Sequence, residues 1–224
     1  MKDVLSNVNL ETAAMPFPVR GVYIGARKRA LDITLAIVIL PAIIPILILL
    51  WAITRLDGAP GFYGQDRVGL DGRRFKCWKL RTMVVDAEQV LQGLCSENPD
   101  IAAEWNTHQK LSYDPRITWI GRFLRATSLD ELPQIWNVLR GDMSFVGPRP
   151  FTTDQEELYI AAGGRAYFKM RPGISGPWQV EGRNETTFLG RIKYDNRYYE
   201  QVSLGYDLAL LFKTVVVVLK STGR

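Results

Sequence analysis

Two adjacent carboxylates, Asp130 and Glu131, stand in the run RATSLDELPQIWNVLRGDMSFVGPRP, residues 125–150, with Pro133 close behind them. Asp142 follows, and the run closes on a turn that carries one cation, Gly147-Pro148-Arg149-Pro150. A carboxylate pair near a rigid, cation-bearing turn suits Mg²⁺ and phosphate chemistry. Mg²⁺ takes one or two carboxylates together with substrate phosphate oxygens, and an arginine fork matches a phosphate group. The same pair is also what an ordinary helix start asks for, because acidic side chains there complement the helix dipole. Spacing alone leaves both readings open.

The element that must position this run is a membrane segment. Residues 33–53, ITLAIVILPAIIPILILLWAI, hold no charge, and Thr34 is their only polar side chain. About 20 apolar residues suffice for a helix to cross a bilayer. A cleaved signal peptide would be shorter and would start earlier. Pro41 and Pro45 interrupt the run. Each lacks a backbone donor and crowds the carbonyl one turn earlier, which predicts a strong kink or a break. An ordinary kinked spanning helix is the plain alternative, since membranes tolerate proline. Arg20, Arg27, Lys28 and Arg29 precede the segment, and Arg55, Arg67, Arg73, Arg74, Lys76, Lys79 and Arg81 follow it. Cytoplasmic flanks are rich in Lys and Arg. A re-entrant hairpin, entering and leaving by one face, satisfies both flanks, whereas a spanning helix puts one of them on the wrong side.

The chain has 224 residues and a formal net charge of +5, room for one membrane segment and one globular domain. The positive balance suits an anionic membrane surface or phosphorylated substrates. No nucleic-acid partner is expected, because no RNP, zinc or helix-turn-helix signature occurs. Cys77 and Cys95 are the only cysteines; they give no disulfide framework and fit a reducing compartment. His108 is the only histidine and lies in a polar stretch. A histidine-dependent hydrolase is therefore disfavoured, and the carboxylates remain as the reactive groups.

The fold expected is α+β and mainly helical: a re-entrant membrane helix plus a small globular catalytic domain with short strands and interfacial amphipathic helices. Residues 1–24 read as a weakly ordered segment, 25–57 as helix–break–helix, and 58–224 as the catalytic domain. Residues 58–64 read as a turn-rich exit. Residues 65–83 read as two strands about the Asp71-Gly72 hairpin turn. Helices are expected over 86–95, 99–110, 117–125, 130–140, 154–162, 188–199 and 206–220, with 171–184 loop-rich. The last helix mixes Leu208, Leu210, Leu211, Phe212 and Val215–Leu219 with Lys213 and Lys220. It reads as either a buried core helix or one lying in the membrane interface.

Ordered motifs run through residues 28–220. They are KRALDI (28–33), QDRVG (65–69), KLRTM (79–83), DPRIT (114–118), SLDELPQIWNVLRGDMSFVGPRP (128–150), RPGISGPWQVEGRN (171–184), and Asp195 with Tyr198. On these the chain resembles the bacterial sugar transferase family, the monotopic phosphoglycosyl transferases that begin lipid-linked glycan assembly. It is similar to the short members, which lack additional N-terminal membrane helices. Many members carry Ser-Pro at the membrane break, where this chain has Ile44-Pro45. The proline is kept, and a serine hydroxyl that would bond the freed backbone is missing.

The resemblance implies transfer of a sugar 1-phosphate, galactose or glucose, from a UDP-sugar to polyprenyl phosphate at the cytoplasmic face of a bacterial inner membrane, with UMP released. It places the nucleophile on Asp130, through a covalent phospho-aspartate, with Glu131 beside it for Mg²⁺ binding or proton handling. Asp130 and Glu131 are thus both the catalytic and the metal candidates, with Mg²⁺ as cofactor. Arg149 is expected at the polyprenyl phosphate, and Lys79, Arg81 and Arg125 around the diphosphate. Gln179, Arg183 and Asp195 are expected around the nucleotide. For any single basic residue the plain alternative is a lipid headgroup contact. Membrane lipid, a second copy of the chain and downstream glycosyltransferases are the partners compatible with this reading. A Mg²⁺-dependent nucleotide-sugar or lipid-pyrophosphate hydrolase and a non-catalytic membrane scaffold are the competing classes.

Overall fold

The computed structural model describes residues 23–108, 111–182 and 187–219. Arg183, the side chain of His108 and nearly all of the expected weakly ordered segment lie outside the described residues. The chain is mainly helical with a few short strands. A turn at Tyr23–Arg27 leads into α1 (Lys28–Thr54), then the strands β1 (Phe62–Val68) and β2 (Arg74–Leu80). Helices α2 (Ala87–Glu97), α3 (Pro99–His108), α4 (Trp119–Thr127) and α5 (Gln134–Arg140) follow. Strand β3 (Ser144–Val146), α6 (Glu156–Ala161), β4 (Gly173–Ser175), α7 (Pro177–Glu181), α8 (Ile192–Gln201) and α9 (Leu204–Leu219) complete the order.

The expected hairpin is present. β1 and β2 pair antiparallel from Phe62↔Leu80 to Val68↔Arg74. Asp71 and Gly72 take the left-handed backbone, at φ 54° and 75°, inside the connection between the strands. The strand begins within the stretch expected to be an irregular exit. A second pairing has no counterpart in the sequence reading: β3 and β4 run parallel, with Ser144↔Gly173 and Val146↔Ser175. Three-residue strands far apart in sequence carry no period to detect.

The interval expected as one helix over 130–140 is divided. Leu129–Glu131 form a tight 3₁₀ turn, and α5 begins only at Gln134. Pro133 explains the division, because it has no N–H to continue a helix from upstream and its fixed φ suits a helix start.

α1 is one helical element through both prolines, so the expected break is not a loss of helical backbone. Each proline frees one carbonyl, of Ile37 and of Pro41, and the remaining ladder carries the helix across. It is the one helix among the described residues long and apolar enough to cross a membrane. Both of its ends dock on the same body. At the N-terminal end Arg29 donates to the Val138 and Leu139 carbonyls, Lys28 Nζ pairs with Asp207 at 2.5 Å, and Asp32 accepts from Ser144 Oγ and Phe145 N. At the C-terminal end Leu50 joins Leu80, Ile120 and Leu124 in one apolar cluster, with Leu47 and Trp51 packed against it. Between the ends, Ile37, Val38, Ile48 and Leu49 stay exposed.

α9 has one face in the core and another exposed. Asp207 and Leu210 are fully buried, while Leu208, Phe212 and Val215 are exposed.

Asn137 joins the elements that carry the chemistry. Its Oδ1 accepts from Trp78 N at 3.0 Å, and its Nδ2 donates to the Lys76 carbonyl at 2.8 Å and to Asp142 at 3.2 Å. One fully buried amide thus ties β2, which carries Lys79, to α5, which follows the carboxylate pair. Asp142 is accounted for by this bond and by its place beyond the left-handed Gly141 that ends α5. Asn137→Leu removes three bonds of a buried amide and leaves part-buried backbone groups of β2 without that partner, at about 1 kcal/mol per bond. The expected result is a thermal midpoint lowered by many degrees, read by thermal unfolding in detergent or nanodiscs.

Candidate active site

The site is built where α4, the 3₁₀ turn, β2 and the glycine-proline turn converge. α4 starts at Thr118, whose hydroxyl accepts from Gly121 N at 3.0 Å, a standard helix N-cap. Gly121 lets α4 lie directly on the chain beyond β2, since a Cβ there would sit 2.1 Å from the Thr82 carbonyl oxygen. α4 ends at Ser128, a non-glycine residue at φ 58°. Left-handed backbone at such a residue is costly and is found at functional turns. It reverses the chain so that Asp130 and Glu131 face β2.

Lys79 Nζ then lies 2.8 Å from Glu131 Oε1 and 3.6 Å from Asp130 Oδ2. Arg149 Nη2 reaches the same Glu131 oxygen at 3.2 Å. The turn bearing Arg149 is fixed by the parallel strands: Gly147 N donates to Ser175 O and Gly173 N to Pro148 O, each at 2.8 Å. Glycine is required on both sides, because a Cβ on Gly173 would fall 2.1 Å from Gly147 N.

The two neighbouring carboxylates have opposite electrostatics. Burial raises the Asp130 pKa; Lys79 opposes the rise and Glu131 adds to it. Burial would raise Glu131 too, but Lys79 and Arg149 overcome it and hold this carboxyl well below the usual range. Glu131 is therefore a fixed anion neutralised by two cations, and Asp130 a desolvated carboxylate with a weaker partner. A desolvated carboxylate is a better nucleophile than one bound tightly to cations.

These residues line a cleft of ≈ 940 Å³, at the upper end of small-molecule sites. The lining is basic at Arg67, Lys79, Arg122, Arg125 and Arg149 and apolar at Phe62, Leu80, Val84, Val85 and Ile117. Arg125 Nε donates to Thr82 Oγ1 at 2.9 Å.

Of the residues expected from sequence, Lys79, Arg125, Asp130, Glu131 and Arg149 come together here. Arg81 lines the cleft, but its guanidinium is engaged elsewhere. Nε bonds Pro60 O at 2.6 Å, Nη1 bonds Met83 O at 2.9 Å, and Nη2 bonds Thr54 O and Asp57. These bonds clasp the C-terminal end of α1. Asp195 is not among the cleft-lining residues. It is buried, accepts from Tyr159 Oη at 2.7 Å and pairs with Arg191 at 3.2 Å. Gln179 also lies outside the lining, with its amide atoms buried and unbonded. Arg67 and Arg122 were missed. Arg67 stood in a quoted motif, and the strand alternation that turns it inward with Gln65 was the available signal.

Lys79 provides the first test of this electrostatic division. Removing its charge takes away the attraction that opposes the rise at Asp130. Lys79→Met is expected to move the acidic limb of the pH–rate profile to higher pH, since more base is then needed to ionise Asp130. An unmoved limb would separate Lys79 from Asp130.

The sequence profile for "Bacterial sugar transferase" matches residues 23–221. Over 196 residues the chain is 47% identical to a UDP-galactose-lipid carrier transferase of Erwinia amylovora, covering 88% of this chain and 41% of that protein. It is 44% identical over 200 residues to the exopolysaccharide production protein ExoY of Sinorhizobium fredii, covering 89% of this chain and 88% of that one. It is 39% identical to a UDP-glucose:undecaprenyl-phosphate glucose-1-phosphate transferase of Escherichia coli, across 84% of this chain and 39% of that protein. The chain thus spans about two fifths of the first and third of these relatives and nearly the whole of the second. With a profile match over nearly its full length, the chain belongs to the bacterial sugar transferase family.

Proposed function

We propose that this chain transfers a hexose 1-phosphate from UDP-galactose or UDP-glucose to undecaprenyl phosphate, as the first step of an exopolysaccharide or related glycan. The observation that carries the reading is the pairing of a desolvated Asp130 with a charge-locked Glu131 in a basic cleft beside α1. The names of the relatives supply the substrate class.

In the first step an Asp130 carboxylate oxygen attacks the β-phosphorus of the UDP-sugar. The bond from that phosphorus to the bridging oxygen breaks, and UMP leaves with the oxygen. In the second step an oxygen of polyprenyl phosphate attacks the same phosphorus, and the aspartyl oxygen–phosphorus bond breaks. The product is polyprenyl-diphosphate-sugar, and Asp130 is regenerated. Such transfers depend mainly on positioning and charge neutralisation. Lys79, Arg125 and Arg149 supply cations along the path. Asp130 and Glu131 are the hard-oxygen donors that would hold Mg²⁺ alongside substrate phosphates. Mg²⁺ bound there would neutralise charge on the diphosphate.

The same geometry supports the membrane reading. A straight helix of 27 residues at 1.5 Å per residue is about 40 Å long, enough to span. Yet both ends of α1 bond to one folded body. That supports a bent, re-entrant α1 seated in a single leaflet, with the exposed Trp119, Phe123 and Phe212 at the interface. The cleft then lies where a soluble UDP-sugar and a headgroup-depth phosphate both reach it, on the cytoplasmic side where UDP-sugars are made. A panel of UDP-sugars scored for UMP release by the protein in nanodiscs tests the reading. Turnover with a hexose donor, lost on chelation of Mg²⁺, is expected; no turnover on any UDP-sugar would leave a scaffold as the better account.

A further inference from the structure

Arg191 carries no role in the chemistry above, yet it is among the least exposed charged residues of the chain, at 3%. Its guanidinium carbon lies 5.5–5.9 Å from the ring centroids of Phe151, Tyr159, Tyr167, Trp178 and Phe188. Aromatic faces attract a cation and strip its water. Nε pairs with Asp195, which Tyr159 Oη holds in place by a hydrogen bond to the same carboxylate. Nη2 donates to the backbone carbonyl of Arg149.

That carbonyl sits between two fixed rails. Upstream, β3–β4 pairing and the bond from Gly173 N to Pro148 O hold the turn. Downstream, Val68 N donates to Phe151 O, and Phe151 is a wall of the cage around Arg191. Peptide orientation at residue 149 decides where its side chain points. A buried, unsatisfied carbonyl there would cost stability, and a turn free to rotate would lose the contact with Glu131.

We propose that Arg191, held by Asp195 and Tyr159 inside its aromatic cage, is a positioning residue that fixes the Arg149 peptide and so aims the Arg149 guanidinium at Glu131. This assigns Asp195 a function that its absence from the cleft left open. The catalytic consequence rests on the transferase reading, whereas the positioning itself does not.

Two double-mutant cycles test it. The first uses no substrate: the coupling between Arg149→Ala and Glu131→Gln in thermal midpoint is measured in the parent and in Arg191→Lys. Lysine keeps the charge but lacks the fork that reaches Asp195 and the carbonyl together. The coupling is expected to vanish in Arg191→Lys; coupling equal to the parent's overturns the proposal. Should Arg191→Lys not fold, Tyr159→Phe removes only the hydroxyl that holds Asp195, and a reduced coupling is expected there too, an unchanged one again counting against it. The second cycle reads UMP release. Arg149→Ala is expected to lower kcat/KM about 100-fold in the parent and less than about fivefold in Arg191→Lys, the non-additivity of residues acting through one another. Strictly additive losses overturn the proposal. A parent inactive on every UDP-sugar, with the stability coupling still dependent on Arg191, would fail the transferase reading and leave the positioning role intact.

Discussion

Asp130→Asn is expected to abolish both transfer and the labelled phospho-sugar adduct, lowering turnover by about three orders of magnitude or more, the scale of removing a nucleophile. The protein should remain folded. Asn matches Asp in shape, and the fold raises the Asp130 pKa through burial. A raised carboxyl favours the fold while protonated, and that contribution is lost as pH rises through the folded pKa. At neutral pH the ionised side chain therefore weighs against the fold. A neutral Asn relieves that weight, and the thermal midpoint is expected at or above the parent's. Near-parent turnover in Asp130→Asn would remove it as the nucleophile and shift attention to Glu131. The electrostatics argue against Glu131, which Lys79 and Arg149 hold as a fixed anion.

Replacing Pro41 and Pro45 together by leucine is expected to change which side of the membrane carries the start of α1. Leucine restores the two missing donors and removes the ring contacts with the preceding turn. A straight α1 would then favour spanning over bending, against the docking of its two ends. A cysteine in place of Gly25, probed with a membrane-impermeant maleimide in intact cells, reads the outcome. Protection in the parent, labelling in the Pro41→Leu, Pro45→Leu variant, and at least a tenfold loss of activity are expected from a catalytic body pulled out of register with the interface. Labelling of the parent from the periplasmic side would make α1 an ordinary single span.

The parts of this molecule legible in its sequence are those written in short-range chemistry. Asp71-Gly72 announced the β1–β2 hairpin, and the long uncharged apolar run announced α1. The resemblance carried by residues 128–150 pointed to Asp130 and Arg149. What stayed hidden depends on contacts distant in sequence. β3 and β4 are three residues each and exist only because the Gly147 and Gly173 backbones meet. Arg81 reads as one more cation in a basic motif until its partners Thr54, Asp57 and Pro60 come into place around it. Asp195 reads as a site carboxylate, yet its partners Tyr159 and Arg191 enclose it away from the cleft. Pro41 and Pro45 signal a perturbed helix but not its form, because the surrounding ladder decides whether a lost hydrogen bond becomes a break.

The central claim is a two-step transfer through Asp130, and acceptor dependence of UMP release tests it most directly. With Mg²⁺ and a hexose UDP-sugar but no polyprenyl phosphate, the account predicts a burst of at most one UMP per protein, matched by sugar phosphate bound covalently to the chain. Addition of polyprenyl phosphate should discharge the label into lipid and restore continuous turnover. Continuous UMP release without any lipid acceptor would contradict the account and identify a hydrolase instead.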